Sequence, residues 1–295
     1  MTYVFAIQNK EELYLMKALD KGTYESFLKL SFNLVEISEI ENLLKIAQLN
    51  HSELKSIFGK YNESEEKELT FFSRYQSIEL NVNRLLINLL SSIRMYLDHT
   101  ETRLNRTHDS KELGLFKEST SVAFDSSFAY RFLSHFRNFF QHCGLAKEII
   151  NIKTDYIEGV ATREVITIIL SRDKLLNAYD WKKLRPELKK MPESFEILPL
   201  IEEKMRLLAA IDIRLNQNLY EKLVGDGLKF VDLLKTVSNY SGAPCFLEQK
   251  QTGTLVSYIP LELVKKIPKV DLTFFNKLDP PKNSELSKVN FHRIY

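Results

Sequence analysis

Cysteine is nearly absent from this chain: Cys143 and Cys245 are the only two among 295 residues. That excludes a disulfide framework, and their wide separation excludes a thiolate zinc site. Neither a metal nor a cofactor is therefore expected, and a reducing, cytoplasmic setting fits best. Glycine and proline are also scarce, at 9 and 8. Few positions suit tight turns, while abundant Leu, Ile, Lys and Glu suit helix interiors. No run approaches the roughly eighteen apolar residues of a membrane span. The first residues, MTYVFAIQNKEELYLMK, lack a basic segment followed by an apolar core, so no secretion signal is expected either. Charge of one sign is lacking too: the net value is +2, and any contact with nucleic acid has to use a local patch. Gly-rich phosphate loops, HExxH, paired carboxylates and nucleophile elbows are missing.

What is present is ordinary globular material, 44% hydrophobic and 27% charged, enough for one large domain or two modest ones. Within residues 1–62, read as an N-terminal helical segment, SEIENLLKIAQL repeats Ile40, Leu43, Leu44, Ile46 and Leu49 near the helical period. The polar YNESEEKELT separates it from the strongest signal. From Phe71 to Arg106, Tyr75, Ile78, Val82, Leu85, Leu86, Leu89, Ile93 and Tyr96 advance by threes and fours, which predicts one long amphipathic helix. THDSKELGLF reads as a break, Lys111–Ala123 as a short helix, and Asp125 or Ser126 as the cap of the next.

EIINIKTDY and REVITIIL, joined by IEGVAT, predict a β-hairpin at about 148–171. Helical pattern resumes after Pro199, with Gly225 and Gly227 marking a break or bend. APCFLEQ and TLVSYIP suggest a second small hairpin around QTG, and DPPKNSELSKVNFHRIY a loosely held tail. The expected fold is mainly α: an antiparallel helical bundle over 63–240 with the inserted hairpin, and a small C-terminal α/β appendage over 241–295.

Functional chemistry concentrates in FAYRFLSHFRNFFQHCGL. At about 100° per residue, Arg131, His135, Asn138 and His142 share a narrow sector. Phe132, Phe136, Phe139, Phe140 and Cys143 occupy the opposite arc, and Arg137 lies at the flank. One side is expected to pack, the other to project a basic, imidazole-bearing strip. His142 falls in the last turn before Gly144, where the helix dipole favours an imidazolium, and Asn138 sits one turn earlier. Arg137 can present a planar fork to a phosphate.

Arg137-Asn138-Phe139-Phe140-Gln141-His142 resembles the motif of the HEPN family (higher-eukaryote and prokaryote nucleotide-binding domains), an Arg, four to six residues, and a His on a helix of a bundle. The likeness spans about 65–240 and implies a metal-independent endoribonuclease, generally homodimeric, in which motif helices of two subunits meet in one cleft. On that resemblance His142 is the general acid and base, Arg137 holds the scissile phosphate, and Asn138 positions the imidazole or the phosphate. RNA is the implied substrate, attacked by its own 2′-hydroxyl, and a toxin or anti-phage role with an antitoxin or defence-system partner is the implied setting.

Arg94 and Asp98 are four apart on the long helix, and the resemblance implies an inward acidic residue near the motif helix, so that Asp98 is expected to bond to His142 or pair with Arg137. Arg131 and His135 either extend the strip along RNA or serve a solvated face or a dimer interface. WKKLRPELKK either tracks phosphates, as in a nucleic-acid-binding regulator, or is an exposed connector anchored by Trp181. The alternative to an enzyme is a non-catalytic HEPN-like dimeric binding or scaffold protein.

Overall fold

The computed structural model describes residues 1–9, 12–60, 71–107, 110–145, 150–157, 163–238, 242–251 and 253–275. It is mainly helical with two small antiparallel sheets. In chain order come β1 (Thr2–Asn9), β2 (Glu12–Leu19), α1 (Lys21–Lys60), α2 (Phe71–Arg106), α3 (Ser110–Ser126), α4 (Phe128–Cys143), β3 (Ile150–Ile157) and β4 (Arg163–Ser171). They are followed by α5 (Arg172–Ala178), a 3-10 turn, α6 (Arg185–Leu188), β5 (Ser194–Glu196), α7 (Leu198–Glu221), α8 (Val224–Lys235), β6 (Ala243–Lys250), β7 (Gly253–Tyr258), α9 (Leu261–Val264) and a final 3-10 turn. Two compact units result, one of 1–39 with 216–295 and one of 40–215. Among the described residues no helix is long and apolar enough to cross a membrane.

The first unit is built on a sheet of order β2-β1-β6-β7. Thr2–Asn9 and Glu12–Leu19, within the segment expected to be helical, are strands. VFAI in β1 is buried on both faces because β1 is a central strand, and such a short apolar run carries no period that separates helix from sheet. Phe5 pairs in register with Phe246, and the rings of Phe27 and Phe230 close over Phe246. Gly242, ahead of β6, has φ +142, and a Cβ there would lie 2.4 Å from the Gln8 carbonyl oxygen. Only glycine fits so close a backbone approach. The expected second hairpin is present as β6 and β7, and it joins the same sheet as the N-terminal pair instead of standing apart. The expected bend at Gly225 and Gly227 falls earlier: α7 stops at Glu221 and α8 runs through both glycines, Gly227 packing against Ile267. The tail from 279 lies outside the described residues.

In the second unit α2, α3 and α4 pack on one another. Ile78, Val82, Leu85, Leu86, Leu89, Ile93 and Tyr96 of α2 are all buried, as their period predicts, whereas the side chain of Tyr75 lies outside the described residues. In α1 the buried stripe in this unit is Ile40, Leu44, Ala47 and Leu54, while Ile46 and Leu49 face solvent. Their apolar character follows the helical period, but the period admits two neighbouring stripes and only one is covered. The inserted hairpin is formed by β3 and β4 in the expected place, and β5 extends it to three strands. THDSKELGLF is not a long break, since α3 begins at Ser110. YNESEEKELT and most of the connection in IEGVAT lie outside the described residues.

α2 and α7 share a buried polar contact: the Tyr96 hydroxyl donates to Asp212 Oδ1 at 3.2 Å. Burial is the main force on Asp212, joined by the nearby Glu41 charge, and together they raise its carboxyl to about 6 against the Tyr96 hydrogen bond, which favours ionisation. The folded protein thus holds a proton that the unfolded chain, with an Asp near 3.9, has released. This contribution is fully present below about pH 4 and is lost as pH rises through about 6. Chemical denaturation of the wild type should show stability falling by about 2–3 kcal/mol over that window from this group. Asp212→Asn, which keeps the acceptor without the charge, should flatten the decline.

Candidate functional site

The site is assembled on α4. Its first turn is closed by Ser127, whose Oγ accepts from the Tyr130 amide at 3.0 Å, and Gly144 closes the other end at φ +83, a conformation glycine adopts freely. Along one side Phe128, Phe132, Phe136 and Phe139 form a stacked file with ring centroids 5.6, 5.4 and 5.7 Å apart. Trp181 stacks on Phe132 at 5.6 Å, is fully buried, and donates its indole N–H to the Leu175 carbonyl at 2.6 Å. Trp181 therefore anchors WKKLRPELKK to the core.

The buried arc of α4 is wider than the phenylalanines alone indicate, because Ala129, Tyr130 and Leu133 are buried as well. Arg137, at about 240° when Arg131 is set to zero, falls between Leu133 and Tyr130 on that wheel. It accordingly faces inward and lines a hollow of about 190 Å³ between α2, α4 and α7. The polar lining is Arg94, Ser134, His135, Arg137, Asn138 and Lys204, set against Leu90, Ile93 and Leu133. Among the described residues no Asp or Glu lines it.

The cations in this hollow are unequally satisfied. Arg94 is clamped by Asp98 through two contacts of 2.7 Å, from Nε and Nη2. Arg137 makes one long contact, Nη1 donating to Asn138 Oδ1 at 3.4 Å, and its buried Nε has no partner among the described residues. Lys204 is 2% exposed; its ammonium donates to Ser134 Oγ at 2.9 Å and to the Tyr130 carbonyl at 3.3 Å, and lies 4.5 Å from the centre of the Tyr130 ring. Burial first, and the Arg94 charge second, pull its ammonium down to about 7.

Lys204 escapes the motif-centred reading of the sequence. Its signal is positional: three residues after Ile201 and four before Leu208, it occupies the apolar stripe of α7, where a lysine is rarely left without a reason.

The remaining candidates are distributed as follows. Asn138 is half-buried at the hollow beside Arg137, while His142 and Cys143 are exposed. His142 is about 140° from Arg137 around the helix, and it does not line the hollow. Cys143, expected in the core, makes only a surface contact, Sγ to the Ala178 carbonyl at 3.7 Å, because the packed arc ends at Phe140. Asp98 engages Arg94 and not the motif residues with which it was expected to pair; the i to i+4 spacing makes Arg94 its nearest cation.

Half-buried His135 is held below its ordinary pKa by burial and by Lys182, so near neutrality it is an uncharged donor and acceptor, not a cation in a basic strip. Arg131 is committed elsewhere: Nη1 donates to the carbonyls of Phe124 and Asp125 at 2.6 Å each, and Nη2 pairs with Glu187 at 2.6 Å. It satisfies the end of α3 and ties down α6, while its buried Nε has no partner among the described residues.

Removing that clamp leaves two carbonyls and a carboxylate without their donor. Arg131→Ala should lower stability in urea by about 1–3 kcal/mol, with RNA affinity unchanged in a filter-binding assay; an RNA-contacting arginine would give the reverse pattern.

Comparison with protein-family models, with curated proteins and with solved structures returns no match for this chain, so a functional assignment rests on the geometry of α4 and its neighbours.

Proposed function

We propose that this protein is a metal-independent endoribonuclease of the HEPN type, its helical part a HEPN-like bundle, acting in the cytoplasm as a toxin or anti-phage effector under an antitoxin or defence-system partner. The observation that carries the reading is the state of Arg137. A guanidinium half-buried on the motif helix, with an Nε that has no partner among the described residues and one weak contact to Asn138, leaves donors free for an oxyanion, whereas Arg94 beside it is paired with Asp98.

RNA brings its own nucleophile, so the protein need supply only proton transfer and charge stabilisation. The 2′-hydroxyl oxygen attacks phosphorus, its proton passing to an imidazole. The bond from phosphorus to the 5′-oxygen breaks as that oxygen receives a proton. The products are a 2′,3′-cyclic phosphate and a 5′-hydroxyl. His142, exposed in the last turn of α4, is the proton-transfer group. Arg137 offsets the charge gathering on the phosphorane, and Asn138 orients the bound phosphate. Because Arg137 and His142 occupy sectors about 140° apart, one chain does not turn both toward the same phosphodiester. The reading therefore requires a homodimer in which His142 of one α4 meets Arg137 of the other across a two-fold axis.

A second reading has one observation in its favour: His142 lies outside the hollow that Arg137 lines. A non-catalytic HEPN-like dimer would bind a phosphate-bearing partner through Arg137 and leave His142 without a chemical role.

Side-by-side assays of wild type, Arg137→Ala and His142→Ala separate the two. For the ribonuclease, each substitution should reduce cleavage of a fluorescent RNA on the order of 10²-fold or more and relieve growth inhibition, with helical content unchanged by circular dichroism and cleavage persisting in a chelator. A wild-type protein that neither cuts RNA nor slows growth selects the scaffold.

A further inference from the structure

The hollow can gather more positive charge than one internal RNA phosphate needs. A phosphodiester carries a single negative charge, whereas a phosphomonoester carries about −1.5 to −2 near neutral pH and offers three acceptor oxygens. Around the hollow stand Arg94, Arg137 and Lys204, and among the described residues only Arg94 has a carboxylate on it, Asp98. That leaves Arg137 and the ammonium of Lys204 facing a space with no acid in its lining. Ser134, Asn138 and His135 supply neutral hydrogen-bonding groups on the same walls.

We propose that this hollow is a binding site for a phosphate dianion, either free inorganic phosphate or the terminal phosphomonoester of a nucleotide, held between Arg137 and Lys204 with Arg94 at the mouth. The inference goes beyond RNA cleavage and holds whether or not RNA is cut.

Three further observations support it. The volume, about 190 Å³, is below the roughly 300–1,000 Å³ of sites that enclose a drug-sized ligand. It suits the phosphate group, with any nucleoside left outside. Lys204 is 2% exposed with two neutral acceptors, an arrangement that disfavours its charged form until an anion arrives. Finally, Arg137 has a buried Nε without a partner among the described residues, and a planar fork beside a second cation is a recurrent phosphate-binding geometry.

The test is isothermal titration calorimetry of the full chain near neutral pH with inorganic phosphate, adenosine 5′-monophosphate and dimethyl phosphate, the last a monoanionic diester. Both dianions should saturate one site per chain with Kd below about 1 mM, and dimethyl phosphate should bind at least about ten-fold more weakly. Arg137→Gln and Lys204→Met should each weaken dianion binding by at least about ten-fold. Adenosine monophosphate binding no tighter than phosphate identifies the free ion as the ligand; tighter binding identifies the phosphomonoester. The half-buried Arg137→Gln variant keeps the test sound if Lys204→Met does not fold. Absence of saturable dianion binding, dimethyl phosphate bound as tightly as phosphate, or unchanged affinity in Arg137→Gln overturns the proposal. Since no RNA is present, loss of ribonuclease activity and loss of this site read out separately.

Discussion

The rotation of α4 about its own axis is the constraint on which the site depends, and the aromatic file sets it. Phe132, Phe136 and Phe139 are almost wholly buried, and Phe132 lies between Trp181 and Phe195. Each buried phenylalanine is stabilised by about 1.5–3 kcal/mol relative to exposure, and each ring pair adds about 0.5–1.5 kcal/mol. Turning α4 by one residue would release several of these contacts together, a loss comparable with the whole stability of a typical domain. The helix therefore has one available orientation, and in it Arg137 points between α2 and α7. Trp181 matters here less as an isolated core residue than as the partner that makes this orientation unique.

Once α4 is fixed, cation placement follows from which groups can satisfy themselves locally. Arg131, with acceptors at the end of α3 and on α6, becomes part of the framework. Arg94 has a carboxylate one helical turn away and takes it. Arg137 is given neither, and Lys204 is buried beside neutral oxygens. Two neighbouring cations with incomplete partners lower the stability of the unliganded protein, since an uncompensated buried charge is expensive. The proposed anion would complete both. The apolar stripe of α7 would otherwise be better served by a methionine at 204.

Much of this was legible from local pattern, and the exceptions have physical causes. The period of α2, both hairpins and the phenylalanine arc of α4 are short-range signals, and each is realised in the structure. Thr2–Asn9 and Glu12–Leu19 differ from the helical expectation because β1 pairs with β6, far away in the chain, and β2 with β1. Neither has a period of its own strong enough to declare it, and tertiary pairing decides between helix and strand. At the site, the wheel puts Arg131, His135, Asn138 and His142 in one projecting strip with Arg137 at its flank, whereas the structure turns His135, Arg137 and Asn138 to the hollow and ties Arg131 to Glu187. The wheel could not show that α6 and the preceding turn cover that strip, because the cover comes from residues some fifty positions later, Glu187 and Lys182 among them. Lys204 was visible only as an oddity in an apolar stripe, and its meaning depends on α2 and α4 standing beside it.

The separation of Arg137 from His142 bears most directly on function. In a monomeric site both groups would have to reach one phosphate from the same sector of the helix, and about 140° of rotation prevents it while the phenylalanine file holds α4 in place. The proposed homodimer meets the difficulty by taking His142 from the α4 of a second copy. Phosphate binding makes no such demand, because Arg94, Arg137 and Lys204 line one hollow in a single chain. Concentration dependence thus separates the two proposals on physical grounds: the proposed cleavage, needing His142 from a second copy, would fall away with dilution, whereas the proposed occupancy of the hollow by a dianion would depend on ligand concentration alone.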